Sequence, residues 1–342
     1  MWQVIGQDKI LALLDHSLKQ GNIAHAYLLV GPHHIGKKNL AINLAQALNC
    51  DGPNPPCGQC NSCRRILEGK HADVACIDLD YNSTDSDSRT KIGVDYVKEL
   101  QQFANLPPYE GKCKVLIIDE AEYLSIEAAN RLLKILEEPP PKVVWLLLSA
   151  EESHLLPTVV SRCQRLELKP VPSEQIQEIL THSYNVDPLK AKFLARLSHG
   201  YLGWALSALT DDNLLQQRTQ SIDRLSSLLT LGLEQRFAYA QELATLLTQN
   251  RKSALEVMQL WLSWWHDLIL IKGGCKEAIT NVDYEAALKK QAKRLSLSEV
   301  KDFTANLRLT EKEISQNVNA RLALESLMLN LPRKISPGNI HG

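Results

Sequence analysis

The stretch GPHHIGKKNL, Gly31 to Leu40, decides how the chain folds. Gly31, Gly36 and Lys37 fit the spacing Gly-x-x-x-x-Gly-Lys of a phosphate-binding loop. There the glycines let backbone N–H groups turn toward phosphate, and the lysine reaches the terminal phosphates. The next position, where a Ser or Thr hydroxyl holds magnesium, is Lys38. Even if its ammonium swings out to water, the hydroxyl ligand is missing. Nucleotide binding through Lys37 stays open on this reading, whereas magnesium-dependent hydrolysis does not follow from it.

The loop's surroundings suit it. Ala26 to Val30 is a strand-like apolar run just before it, and Ile10, Leu13, Leu14 and Leu18 share a helical face upstream. Val115 to Ile118 and Val143 to Leu148 are further unbroken apolar runs, as expected for strands buried on both faces of a parallel sheet. Between them Ser125 can cap a helix that turns Leu132, Leu133 and Leu136 inward and stops at Pro139. The first region is therefore read as α/β, with crossover helices joining parallel strands. Asp78 to Thr90, rich in Ser, Asp and Asn, reads as a loop, and Val94 to Phe103 as a helix.

From Pro170 the strand-like runs stop, and from about residue 212 the pattern is helical almost throughout. The expected division is an α/β domain over 1–169, a small helical lid over 170–211 and a helical domain over 212–335. Trp261, Trp264, Trp265 and Leu268 fall at helical spacing, as a packing stripe or a subunit interface would.

Asp119 and Glu120 close the apolar run Val115 to Ile118. In P-loop ATPases an Asp at this place helps to hold magnesium, and the Glu polarises the attacking water in many of them. Lys38, in place of the magnesium-binding hydroxyl, weighs against turnover. Cys50, Cys57, Cys60 and Cys63 offer four thiolates with two C-x-x-C steps, enough to fill a tetrahedral structural zinc site. An iron–sulfur cluster would accept the same ligands. Arg64 and Arg65 are placed to offset the excess negative charge of four thiolates. The chain's other four cysteines are scattered and read as ordinary thiols.

The formal net charge of −1 gives no overall field that would draw the chain onto nucleic acid. The N-terminus lacks a secretory signal, and no apolar stretch reaches the roughly 18 to 20 residues that span a bilayer. A cytoplasmic protein without membrane contact is the expectation.

Taken together these residues resemble the clamp-loader ATPases of the AAA+ class that serve bacterial DNA polymerase III. The resemblance rests on Gly6-Gln7, His25-Ala26-Tyr27, the cysteine insert, Asp119-Glu120, Asn130 through Pro140 (NRLLKILEEPP) and Ser161-Arg162-Cys163. Asn319 through Glu325 looks like the family's collar helix. The likeness is dense over residues 1–170 and looser beyond.

It implies one subunit of a hetero-oligomeric ring that uses ATP to open the sliding clamp and place it on primed DNA. Its partners would be the gamma/tau motor subunits and the clamp-opening delta subunit. The arginine of the Ser-Arg-Cys motif, here Arg162, would act as a finger in the neighbouring subunit's ATP site. Glu120 would be catalytic or vestigial, with Gly31, Gly36, Lys37, Lys38 and Asp119 around any nucleotide and Mg²⁺. Trp204 stands where related ATPases often carry a second sensor arginine. With Lys38, it suits a subunit that lends an arginine and does not itself turn over ATP. An autonomous ATPase, whether motor subunit or helicase-like, is the alternative. A zinc-dependent DNA-binding module would need a basic stripe, which is missing. No residue points to polymerase activity in this chain, which would belong to the holoenzyme it joins.

Overall fold

The computed structural model describes residues 2–79, 91–315 and 318–332. Most of the expected Asp78–Thr90 loop lies outside the described residues. Contacts divide the chain into two compact units, Met1–Ile179 with Gly200–Trp204, and Leu180–His199 with Ala205–Gly342.

The first unit is built on a parallel five-stranded sheet. Its strands are β1 (Ala26–Val30), β2 (Val74–Ile77), β3 (Lys114–Ile118), β4 (Val143–Ser149) and β5 (Gln164–Glu167), in the order β2-β3-β4-β1-β5. Every pairing is parallel. Strands β1, β3 and β4 are buried along their whole length, which explains their unbroken apolar runs.

The helices of this unit are α1 (Asp8–Gln20), α2 (Lys37–Asn49), α3 (Asn61–Leu67), α4 (Val94–Asn105), α5 (Ile126–Glu137) and α6 (Pro157–Val160). Two apolar clusters sandwich the sheet. One holds α2 residues such as Leu40 and Leu44, the other α4 and α5 residues such as Val97 and Leu132.

Ser125 caps α5 as expected, its hydroxyl accepting from the Ala128 N–H at 3.1 Å. One residue of the expected faces differs. Leu13 is exposed, and Leu11 packs partly buried against the core beside Leu14. Leu132 and Leu136 are buried and Leu133 packs partly buried against the same cluster, with Ala128, Ala129 and Ile135 completing the inner face of α5.

Gly6-Gln7 has a packing purpose. Gly6 has φ +76°, and a Cβ there would lie 2.5 Å from Val171 Cγ2. The buried Gln7 amide donates to the Lys169 carbonyl and accepts from the Lys169 N–H, at 2.7 and 3.1 Å.

Helix α7 (Ser173–Ser183) crosses the boundary between the units. The helices that follow are α8 (Pro188–Leu197), α9 (Leu202–Thr210), α10 (Asp212–Leu228), α11 (Leu233–Gln249), α12 (Arg251–Lys272), α13 (Glu285–Ala292), α14 (Leu297–Ser315) and α15 (Ala320–Asn330). In the second unit Trp261, Trp264 and Trp265 of α12 are buried, with Phe303 against Trp265 at 4.3 Å between ring centres. The tryptophan stripe is therefore core. No described helix is long and apolar enough to cross a membrane.

Candidate functional site

A parallel sheet delivers its loops to the carboxyl ends of its strands, where α/β proteins bind ligands. Gly31 follows β1, Asp78 follows β2, and Asp119 and Glu120 follow β3. The expected loop residues therefore meet the expected carboxylates.

Lys37, the first residue of α2, is folded back onto its own loop. Its Nζ donates to the Gly31 and Pro32 carbonyls, the latter at 3.0 Å. Burial pulls this ammonium below the ordinary lysine range, against the upward pull of Glu122, Asp119 and Glu120.

Lys38 Nζ lies 3.3 Å from Asp119 Oδ2 and 3.4 Å from Asp78 Oδ2. Burial works against its charge, but Cys76, Asp119 and Asp78 raise its pKa on balance. An ammonium thus sits beside the carboxylate expected to hold magnesium. Asp78 was hidden from sequence reasoning inside a polar stretch, although it follows a short strand as Asp119 does.

The loop turns through His34 at φ +61° and Gly36 at φ +106°. On another side, the backbone of Gly203 comes so close that a Cβ there would lie 2.7 Å from the His34 carbonyl oxygen. Glu120 adopts a left-handed conformation, φ +55°, and its N–H donates to Asp119 Oδ1 at 3.0 Å.

Arg162 lies away from this loop. Helix α6 ends at Ser161, whose hydroxyl donates to the Thr158 carbonyl at 3.1 Å. Cys163 packs against the apolar core, and burial pushes its thiol up to about 12. Between these two anchors the Arg162 side chain stays about one-third exposed, donating to the Thr158 carbonyl at 2.9 Å and to Glu137 Oε1 at 2.7 Å. Glu137, quoted in the Asn130–Pro140 motif without a role, is the tether.

The four cysteines come together, with Sγ atoms all within 4.8 Å of one another and Cys57 to Cys63 at 4.0 Å. Zinc–sulfur bonds of about 2.3 Å in a tetrahedron place sulfurs roughly 3.8 Å apart, so the cluster fits zinc. Backbone N–H groups already point at the sulfurs: Gly52 and Cys57 donate to Cys50, Cys60 to Cys57 and Cys63 to Cys60, at 3.3 to 3.4 Å. Gly52 leaves the room, since a Cβ there would lie 3.2 Å from Cys57 Sγ. Arg65 does not serve the thiolates as expected. It pairs with Glu110 and donates to the Lys70 carbonyl at 2.8 Å.

Comparison with known proteins agrees with this arrangement. The family model for the "DNA polymerase III, delta subunit" matches residues 6–172, and that for its C-terminal part matches 202–333. DNA polymerase III subunit gamma of Buchnera aphidicola is 31% identical over 276 residues, covering 78% of this chain and 74% of that protein. Subunit delta' of Bacillus subtilis is 26% identical over 326 residues, covering 95% of this chain and 96% of its own. Subunit tau of Escherichia coli is 39% identical over 215 residues, or 61% of this chain. The chain spans only 32% of that tau subunit's length. With the parallel sheet, the loop and the cysteine cluster in place, the chain belongs to the clamp-loader subunit family of bacterial DNA polymerase III.

Proposed function

We propose that this chain is a delta-prime-type clamp-loader subunit, a ring member that contributes Arg162 to a neighbour's ATP site and has little or no ATPase of its own. The observation that carries the reading is Lys38 Nζ, bound between Asp78 and Asp119 where a magnesium ion would have to sit. Two cations cannot share those carboxylates at that range without several kcal/mol of repulsion. Glu120 is then vestigial, and Gly31 and Gly36 serve the turn.

In this reading the gamma/tau motors and the delta subunit are its partners, and the clamp and primed DNA are met through the complex in the cytoplasm. A helical lid over 170–211 and a collar over 212–335 follow the α/β domain. Cys50, Cys57, Cys60 and Cys63 hold a structural zinc, which would clamp the turn between α2 and α3.

A motor subunit is the second reading, favoured by the 39% identity to tau. Calorimetric titration of the isolated protein with ATP, with and without magnesium and beside Lys37→Ala, separates the two. No magnesium-dependent binding is expected. Tight binding that is lost in Lys37→Ala, together with steady turnover, would favour the motor.

A further inference from the structure

The second unit carries a basic cavity that the clamp-loader reading does not use. It is a wide, open depression of about 520 Å³. Lys272, Lys276, Lys289 and Lys293 line it, with Ile271, Ala292 and Leu297 as its apolar part. Residues 271–301 contain seven Lys or Arg and four Asp or Glu, a local excess of three positive charges in a chain of net charge −1.

Cations near helix C-termini are often there for the helix dipole. That accounts for Lys272, the last residue of α12, and Lys293, the C-cap of α13. It does not account for Lys276, which stands outside both α-helices, or for the cavity's apolar wall. Lys289 is held by Glu285 at 2.5 Å. Among the described residues Lys272, Lys276 and Lys293 form no ion pair, although Glu299 and Glu285 lie near enough to feel Lys272 and Lys276.

We propose that this cavity is a docking site for an acidic peptide segment of a protein partner, with an apolar side chain seated between carboxylates. Charge complementarity selects the acidic partner, and the accessible surfaces of Ile271 and Leu297 select an apolar anchor. A single nucleic-acid strand fits less well. Such strands are held by long basic grooves with aromatic stacking platforms, and no aromatic residue lines this cavity.

The test uses the full-length protein and three fluorescein-labelled probes: an Asp/Glu-rich peptide with a central leucine, its Asn/Gln counterpart, and an oligo-dT strand. Fluorescence anisotropy is read for the parent chain, for Lys272→Glu/Lys293→Glu, for Leu297→Ser and for a control, Lys98→Glu on α4. The acidic peptide should bind, the amide peptide should not, and the double substitution should weaken binding by about ten-fold or more. Leu297→Ser should weaken it by several-fold, with Lys98→Glu unchanged and thermal unfolding similar throughout. Binding of oligo-dT in preference to the peptide would make the cavity a nucleic-acid surface and overturn the proposal. Absence of peptide binding, or equal loss with Lys98→Glu, would overturn it too. Should the double substitution unfold the protein, Lys276→Gln alone must still weaken the peptide for the site to stand.

Discussion

Lys38 Nζ and Asp119 Oδ2 are 3.3 Å apart, with Asp78 closing the other side at 3.4 Å. A built-in ammonium thereby sits at the end of β3, beside the carboxylate that follows the strand. Lys38→Thr removes it and restores a hydroxyl. The expected outcome is magnesium-dependent ATP binding that the parent lacks, read by calorimetry. Because Lys38 is about half exposed, the substitution should change stability by no more than about 1 kcal/mol.

Arg162 is about one-third exposed and is held by Glu137, the Thr158 carbonyl and the Ser161 hydroxyl. In a reconstituted ring, Arg162→Ala should lower ATP turnover at the neighbouring site by about 10³-fold or more, the scale of an arginine finger. Assembly by size-exclusion chromatography should be intact. Unchanged turnover would remove the role in trans.

The cysteine cluster should bind one zinc per chain, measurable by metal analysis of the reduced protein. Backbone N–H groups of Gln59 and Cys60 hold the Cys57 thiol down at about 6, so one ligand is readily ionised. Burial pushes Cys63 up to about 12, which leaves that thiol to be ionised by the metal itself. Cys63→Ser or a strong chelator should therefore lower the melting temperature by several degrees. A folded, reduced sample with little zinc would count against the site.

Asp73 is fully buried and accepts N–H bonds from Tyr109, Glu110 and Gly111 at 2.7 to 2.8 Å, with Lys114 Nζ at 3.6 Å. Burial alone would raise its pKa, but these donors and Lys114 bring it below the ordinary aspartate value. A lowered folded-state pKa gives stability that is present above the unfolded value, about 3.9, and is lost as pH falls through the folded one. Asp73→Asn should cost about 3 kcal/mol at neutral pH, because it also strips the buried Lys114 of its counter-ion. Chemical denaturation from pH 7 down to pH 2 should show a smaller acid-induced loss in the variant.

The sequence by itself determined the parallel α/β core, the loop after β1, the carboxylates after β3 and the cysteine set. Each is written locally: an unbroken apolar run means a strand buried on both faces, and a glycine spacing or a C-x-x-C step fixes a turn. Strands β2 and β5 went unread because they are short, and β5 carries charges on its exposed positions. The helix faces were legible only in part, since Leu11 and Leu13 are equally apolar and only packing decides which one turns inward.

Tertiary structure decided the rest. Lys38 was visible as a missing hydroxyl, but its two carboxylate partners lie 40 and 81 residues away along the chain and meet it only where parallel strands end side by side. The tether from Glu137 to Arg162 has the same origin. Charges that meet only because separate elements pack together leave no periodicity or spacing in the sequence.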